Sequence, residues 1–265
     1  MWKLFPSAAQ TQAQISYTDV SGAGLTVSQA TTPTTPTVSD YDNNDGSGQI
    51  LLNNIALQYA KPTLPVSTFA TGVDMVLDEA FLTDVNGTCY QVAYPAGCSA
   101  FTFSHITGTQ QRYGRLNMIN AFGPEDQTLS IELQAQYYAA GNWLVNIDDN
   151  STNISLAQSL GQISLTPLPD SENNIASLYS NIQSTGFLAA GISDTSDLSF
   201  TPANLRGGLQ VTISSLVGSP AWAKYLNYDW NGDGMINGLD APSATINFGI
   251  YRGNDRKINY REVLE

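Results

Sequence analysis

The segment of this chain best suited to do chemistry is Asp229-Trp230-Asn231-Gly232-Asp233-Gly234-Met235-Ile236-Asn237-Gly238-Leu239-Asp240. Oxygen-bearing side chains stand at positions one, three, five, nine and twelve, and glycine stands at six. A hard cation needs that spacing when one short segment wraps around it. Asp229, Asn231 and Asp233 each offer an oxygen. Met235 offers its backbone carbonyl, Asn237 binds directly or through water, and Asp240 closes the shell. Gly234 permits the sharp turn that a Cβ would hinder. The cofactor implied is Ca2+. The plainer alternative is a solvated Asn/Asp/Gly turn cluster.

The flanking residues restrict what such a loop can be. Ser219-Pro220 is a cap and first-turn pair, which predicts a short entering helix over 220–226. Beyond Asp240 come Ala241-Pro242, and then Ile246, Phe248 and Ile250 alternate as in a strand. No exiting helix is written there. The spacing therefore predicts an isolated loop in a β context and not a paired sensor, with the metal in a structural role. The twelfth position is Asp rather than Glu, so its carboxylate reaches less far.

The rest of the chain carries the punctuation of an all-β protein. Short apolar or alternating runs fall at 50–59, 73–82, 99–106, 114–121, 128–138, 142–147, 161–166, 208–216, 245–251 and 257–263. Nearly all are bounded by Gly, Pro, Asn, Asp or Ser. Residues 175–182 read as one or two helical turns. The fold class expected is all-β, with β-sandwich-like modules, a short helix and the calcium loop near the C-terminus. Residues 1–14 read as a leader or truncation remnant, 15–79 as an N-terminal β segment, and 80–265 as a β module that can be continuous with it.

Composition excludes several classes of partner. Of 265 residues only 12% are charged, and 23 acids against 10 bases leave a net charge of −13. Nucleic acids and anionic membranes both need clustered cations. No stretch reaches the roughly 20 apolar residues of a membrane span. A surface of Ser, Thr, Asn, Gln and Gly fits an extracytoplasmic protein. In that setting Cys89 and Cys98, the only cysteines, are expected to form a disulfide across a short turn-rich loop; the alternative is two buried thiols.

Catalytic motifs are absent. There is no Gly-x-Ser-x-Gly elbow, phosphate loop, dinucleotide glycine run or zinc-protease helix motif. The single histidine, His105, sits in an alternating strand and reads as structural or surface. Paired acids at Glu125-Asp126 and Asp148-Asp149 keep glycoside hydrolysis open as a lesser alternative. The expectation is a non-catalytic protein.

Several segments carry a resemblance. Arg112-Tyr113-Gly114-Arg115-Leu116, Asn120-Ala121-Phe122-Gly123, Gln134-Ala135-Gln136-Tyr137-Tyr138 and Asn146-Ile147-Asp148-Asp149 are one group. Asp84-Val85-Asn86-Gly87-Thr88-Cys89-Tyr90 and Tyr228-Asp229-Trp230-Asn231-Gly232-Asp233-Gly234 join them, with the ending Phe248-Gly249-Ile250-Tyr251-Arg252-Gly253-Asn254-Asp255-Arg256. Together they resemble the MshQ family, large proteins associated with the MSHA (mannose-sensitive haemagglutinin) type IV pilus of Gram-negative bacteria. The match runs from about residue 80 to the end. No cysteine follows Asp148-Asp149, so any disulfide the family forms there is absent. The resemblance implies a cell-surface module of a pilus-associated protein, acting in assembly or adhesion. Its partners would be pilus components or a host or surface receptor, including a glycan.

The residues singled out for contact are Trp143, Arg252 and Arg256. Arg252-Gly253-Asn254-Asp255-Arg256 reads as a tight hairpin turn. Its arginines, like Arg112 and Arg115, are expected to bind the chain's own carboxylates and otherwise to dock an acidic partner. A carbohydrate-binding module is the alternative function, with exposed Trp143 and Trp230 stacking on sugar rings. Trp222 is expected to be buried.

Overall fold

The computed structural model describes residues 14–31, 37–40, 48–52, 55–83, 98–169, 171, 175–214, 224–237 and 240–249, with backbone alone for 37–40 and 48–51. Among them no helix is long and apolar enough to cross a membrane. The chain forms two compact units, 1–113 and 114–265.

The first unit contains β1 (Ile15–Asp19), β2 (Val27–Gln29), β3 (Thr37–Asp40), β4 (Gly48–Leu51), β5 (Leu57–Tyr59), β6 (Phe69–Leu77) and β7 (Phe101–Gln111). β1, β6 and β7 form an antiparallel sheet with β6 in the middle, while β2–β5 and β3–β4 are two-stranded. Ile15 faces Leu77 across β1–β6, and Phe69 faces Gln111 across β6–β7. The β6–β7 ladder shifts register between Ala70 and Gly72 and again between Val73 and Met75. Near the second shift His105 takes a positive φ of 57°, and its N–H donates to Asp74 Oδ1 at 2.7 Å. The histidine thus marks an irregularity in an exposed strand, as a structural residue.

A single helical turn, α1 (Glu79–Leu82), follows β6. Asp78 caps it by accepting Phe81 N–H at 2.6 Å. The cap turns Phe81 and Leu82 inward to join Ile15 and Leu77 in a small core, against which Tyr17, Leu52, Met75 and Cys98 pack. In the same unit Lys61 lies 4.4 Å over the ring of Tyr113, whose hydroxyl donates to the Thr63 carbonyl at 3.2 Å. Burial pushes the Lys61 ammonium down to about 7.

The second unit contains β8 (Gly114–Ile119), β9 (Ala121–Gly123), β10 (Leu129–Ser130), β11 (Glu132–Ala139), β12 (Asn142–Val145), β13 (Leu156–Ala157), β14 (Ile163–Pro167), β15 (Gln183–Ser184), β16 (Ser199–Phe200), β17 (Gly207–Ile213) and β18 (Ser243–Phe248). Two sheets dominate. One is antiparallel, β12-β11-β8; the other runs β14-β17-β18-β9, with β9 parallel to β18. Alternation decides which face each strand buries. Leu116, Met118, Leu133 and Ala135 from the first sheet meet Ile163, Leu209, Val211, Ile213, Ile246 and Phe248 from the second in one core. That is a sandwich arrangement. Tyr179 stacks on Phe248 and meets Phe200 edge-on, and its hydroxyl donates to the Thr201 carbonyl at 2.9 Å.

The fold is all-β, as the strand-length runs imply, and differs from the expectation in its divisions. The N-terminal unit continues past residue 79, because β6 needs β7 as a pairing partner and 101–111 therefore belong with 69–77. The helix expected over 220–226 appears as one 3-10 turn at Lys224–Leu226, with 220–223 outside the described residues. Residues 175–182 supply a 3-10 turn at Ile175–Leu178, with Ile175 fully buried.

Candidate functional site

The loop that follows Leu226 is wound by its own side chains. Asp229 accepts Gly232 N–H at 2.7 Å and Asp233 N–H at 3.2 Å on Oδ1, and Gly234 N–H at 2.8 Å on Oδ2. Asn231 Oδ1 accepts Asp233 N–H, and Asp233 Oδ1 accepts Met235 N–H, each at 2.8 Å. Gly232 and Gly234 stand at φ 74° and 81°, conformations that suit glycine. Asp240 clasps both ends. Its Oδ1 takes Trp230 N–H at 3.1 Å and Asn231 N–H at 3.4 Å, and its Oδ2 takes Asn237 N–H at 2.6 Å.

The five side chains picked from the spacing are therefore brought together. Asp233 Oδ2 also receives the carboxamides of Asn231 at 3.1 Å and Asn237 at 3.3 Å. The Met235 side chain points to solvent at 59% exposure, whereas Asp240 is buried at 3%. Among the described residues no three His, Cys, Asp or Glu side chains form a ready-made cage. The donor set nevertheless fits calcium. It is all oxygen, and a carboxylate oxygen that accepts one N–H keeps a second lone pair.

A clasp on the buried Asp149 and Thr152 holds Tyr225, in the 3-10 turn that leads into this loop. Asp149 Oδ2 accepts the hydroxyls of Thr152 at 2.6 Å and Tyr225 at 2.5 Å, and Oδ1 accepts Thr152 N–H at 3.0 Å and Ser151 N–H at 3.2 Å. The Thr152 and Tyr225 hydroxyl oxygens thus lie side by side on that one carboxylate oxygen. Burial alone would raise the Asp149 pKa; the hydrogen bonds outweigh it and hold the carboxyl below its ordinary value. Burial and the neighbouring carboxylate push the Tyr225 phenol well up. The spacing of Asp148-Asp149 gave no sign of this role.

Beside the loop lies an aromatic cluster centred on a cation. The Arg115 guanidinium sits 4.0 Å from the Trp143 ring, 5.1 Å from Trp230 and 5.6 Å from Tyr228. Trp143 meets Tyr138 at 63° and Tyr228 at 82°, and Tyr228 meets Trp230 at 80°. The rings are edge-to-face and half-buried, unlike the exposed sugar-stacking faces expected of Trp143 and Trp230. Trp230 Nε1 is buried without a hydrogen-bond partner. Arg115 Nε donates to Gln136 Oε1 at 2.9 Å. The expected carboxylate is replaced by rings and an amide, because the pairing of β8 with β11 puts Arg115 opposite Gln136. Burial lowers the Arg115 pKa.

The remaining sites divide as follows. Cys98 packs against the small core of the first unit, while Cys89 lies outside the described residues. Arg252, Arg256 and Trp222 also lie outside them. Of the paired acids, Glu125 approaches Arg206 at 3.9 Å and Asp149 is taken up by the clasp.

The family described as DUF6701, fourth domain, matches residues 112–263, more than half of the chain. The chain belongs to this family. The matched DUF6701 segment contains the loop, the clasp and the aromatic cluster. No curated protein and no solved structure matches the chain.

Proposed function

We propose that this DUF6701 domain is part of a calcium-stabilised, non-catalytic, extracytoplasmic module of a pilus-associated surface protein, acting in assembly or adhesion. The observation that carries the reading is the loop: Asp229, Asn231, Asp233, Asn237 and Asp240 all turn toward one short segment. When bound, calcium would supply positive charge to the carboxylates of this loop. Asp229, Asn231, Asp233, Asn237 and Asp240 would hold it, with the Met235 carbonyl. The pilus association rests on the motif resemblance to the MshQ family. The non-catalytic reading is supported by the engagement of Asp149 in a structural clasp.

The role assigned to the metal is to fix the segment between the Tyr225 clasp and β18. A ligand that binds only the folded chain adds about 2.7 kcal/mol at 100 times its Kd. Thermal melting in millimolar calcium against excess chelator is therefore expected to show a rise in Tm. Asp229→Ala and Asp233→Ala should each remove most of it. Superimposable melting curves with and without chelator would refute the metal reading.

A further inference from the structure

The outer face of the β12-β11-β8 sheet carries a row of polar side chains that packing does not explain. Along β11, Leu133 and Ala135 turn into the core, so Glu132, Gln134, Gln136 and Tyr138 share the opposite face. Arg115 and Trp143 join them from the flanking strands, opposite Gln136 and Tyr138. Arg115 Nε donates to Gln136 Oε1 at 2.9 Å, Gln136 Nε2 donates to Gln134 Oε1 at 2.8 Å, and Gln134 Nε2 donates to Glu132 Oε1 at 2.6 Å. Side chains two residues apart on a strand stand about 7 Å from one another.

We infer that this face, Glu132-Gln134-Gln136-Arg115 with Tyr138 and Trp143 at its end, is a binding surface for a neutral, hexose-based glycan. The inference deepens the adhesion reading above and rests on it for biological context. Each carboxamide spends one N–H and one oxygen lone pair on the row and keeps one N–H and one lone pair. The row holds the amides fixed, so little side-chain entropy is lost when a ligand arrives. A planar amide with one spare donor beside one spare acceptor matches adjacent hydroxyls, which both donate and accept. At the end of the row Trp143 is half-buried with the Arg115 guanidinium 4.0 Å from its ring, so it holds that cation in place at the edge of the face. The one cation and one anion of the row cancel, within a chain of net charge −13; an acidic polysaccharide is thereby disfavoured.

The experiment uses the full chain with calcium present. It is applied to an array of immobilised neutral glucose-, mannose- and galactose-based oligosaccharides, and the strongest array hit is titrated by calorimetry. Binding to at least one neutral oligosaccharide is expected. Gln134→Ala combined with Gln136→Ala should weaken it at least tenfold, as should Trp143→Ala, while far-ultraviolet circular dichroism stays unchanged. Thr166→Ala, on the exposed side of β14, should leave binding as it was and serves as the folded control. The inference is overturned if the folded protein binds no neutral oligosaccharide, if only acidic glycans bind, or if the double glutamine variant retains wild-type affinity. The metal reading is decided separately by the melting curves, since loss of the calcium effect with glutamine-dependent binding intact would remove only that reading.

Discussion

Strands β7 and β17 are both rich in strand-forming residues, yet the fold treats them in opposite ways. β17 has β14 on one side and β18 on the other, and Leu209, Val211 and Ile213 are fully buried. β7 stands at the edge of its sheet. All eleven of its residues are exposed, including Phe101, Phe103 and Ile106 at 41–44%. Strand length and β propensity are therefore poor guides to where the stability lies; neighbours on both edges and a facing sheet decide it. The second unit is a packed sandwich, whereas among the described residues of the first the core cluster is small, formed by Ile15, Leu77, Phe81 and Leu82. An uncharged edge such as β7 lacks the lysines and prolines that usually guard one.

The comparison is broken most directly by large-to-small substitutions on the two strands. Leu209→Ala in β17 should cost about 2–5 kcal/mol by urea denaturation, and Phe103→Ala in β7 only about 0.5 kcal/mol. Equal losses would mean that the exposure of β7 misreports its contribution.

A second test asks whether the first unit leans on a covalent link. If Cys89 and Cys98 are joined, reduction should remove about 2–3 kcal/mol in the chain-entropy picture. The loss should appear in the transition of the first unit and leave that of the second in place. Mass spectrometry that finds two free thiols in protein from an oxidising compartment excludes the link.

The clasp in the second unit provides a third. Asp149→Asn should cost about 1–3 kcal/mol at neutral pH, since it loosens a buried, hydrogen-bonded carboxylate. Because the folded state lowers this pKa, the carboxylate's contribution is complete above the ordinary value near 4. It is lost as pH falls through the lower folded value. Wild type should therefore lose stability more steeply than the variant below pH 4.

A fourth test concerns Lys61. Its folded value of about 7 lies below the ordinary lysine value, so in the window above pH 7 the unfolded chain holds a proton that the folded chain has released. Stability of the first unit should rise as pH increases through that window. In Lys61→Met the rise should flatten; a variant with the wild-type slope would assign the effect to another group.

Much of this was legible in the residues. The Asn/Asp/Gly spacing of 229–240 marked a segment whose side chains do bond its own backbone, because a loop that caps itself is a local object, and local objects are written in consecutive residues. The alternation of β8, β11, β17 and β18 was equally plain. The amide row was not, although Gln134 and Gln136 alternate visibly with Leu133 and Ala135. Its meaning depends on which residue of β8 lies opposite, and register is set by the assembled sheet. Arg115 shows the same limit. In an acidic chain a carboxylate was the expected partner, but Trp143 and the distant Tyr228 and Trp230 converge on it instead. The boundary between the units was hidden because β6 waits for β7 across an intervening segment.

The parallel pairing of β9 with β18 has a consequence in time. Ile246 lies beside Ala121 and Phe248 beside Gly123, and Thr245 N–H donates to Asn120 Oδ1 at 2.8 Å. Residues made early in the unit thus meet partners made near its end, and the entropy of closing so long a chain segment must be met before those contacts form. Until β18 is delivered, β17 has one open side and the sandwich lacks Ile246 and Phe248. The self-wound loop sits directly upstream and forms from neighbouring residues, so it can fold first and present β18 already aimed at its slot. On this view the self-capping of that loop is the local step that readies the sandwich to close.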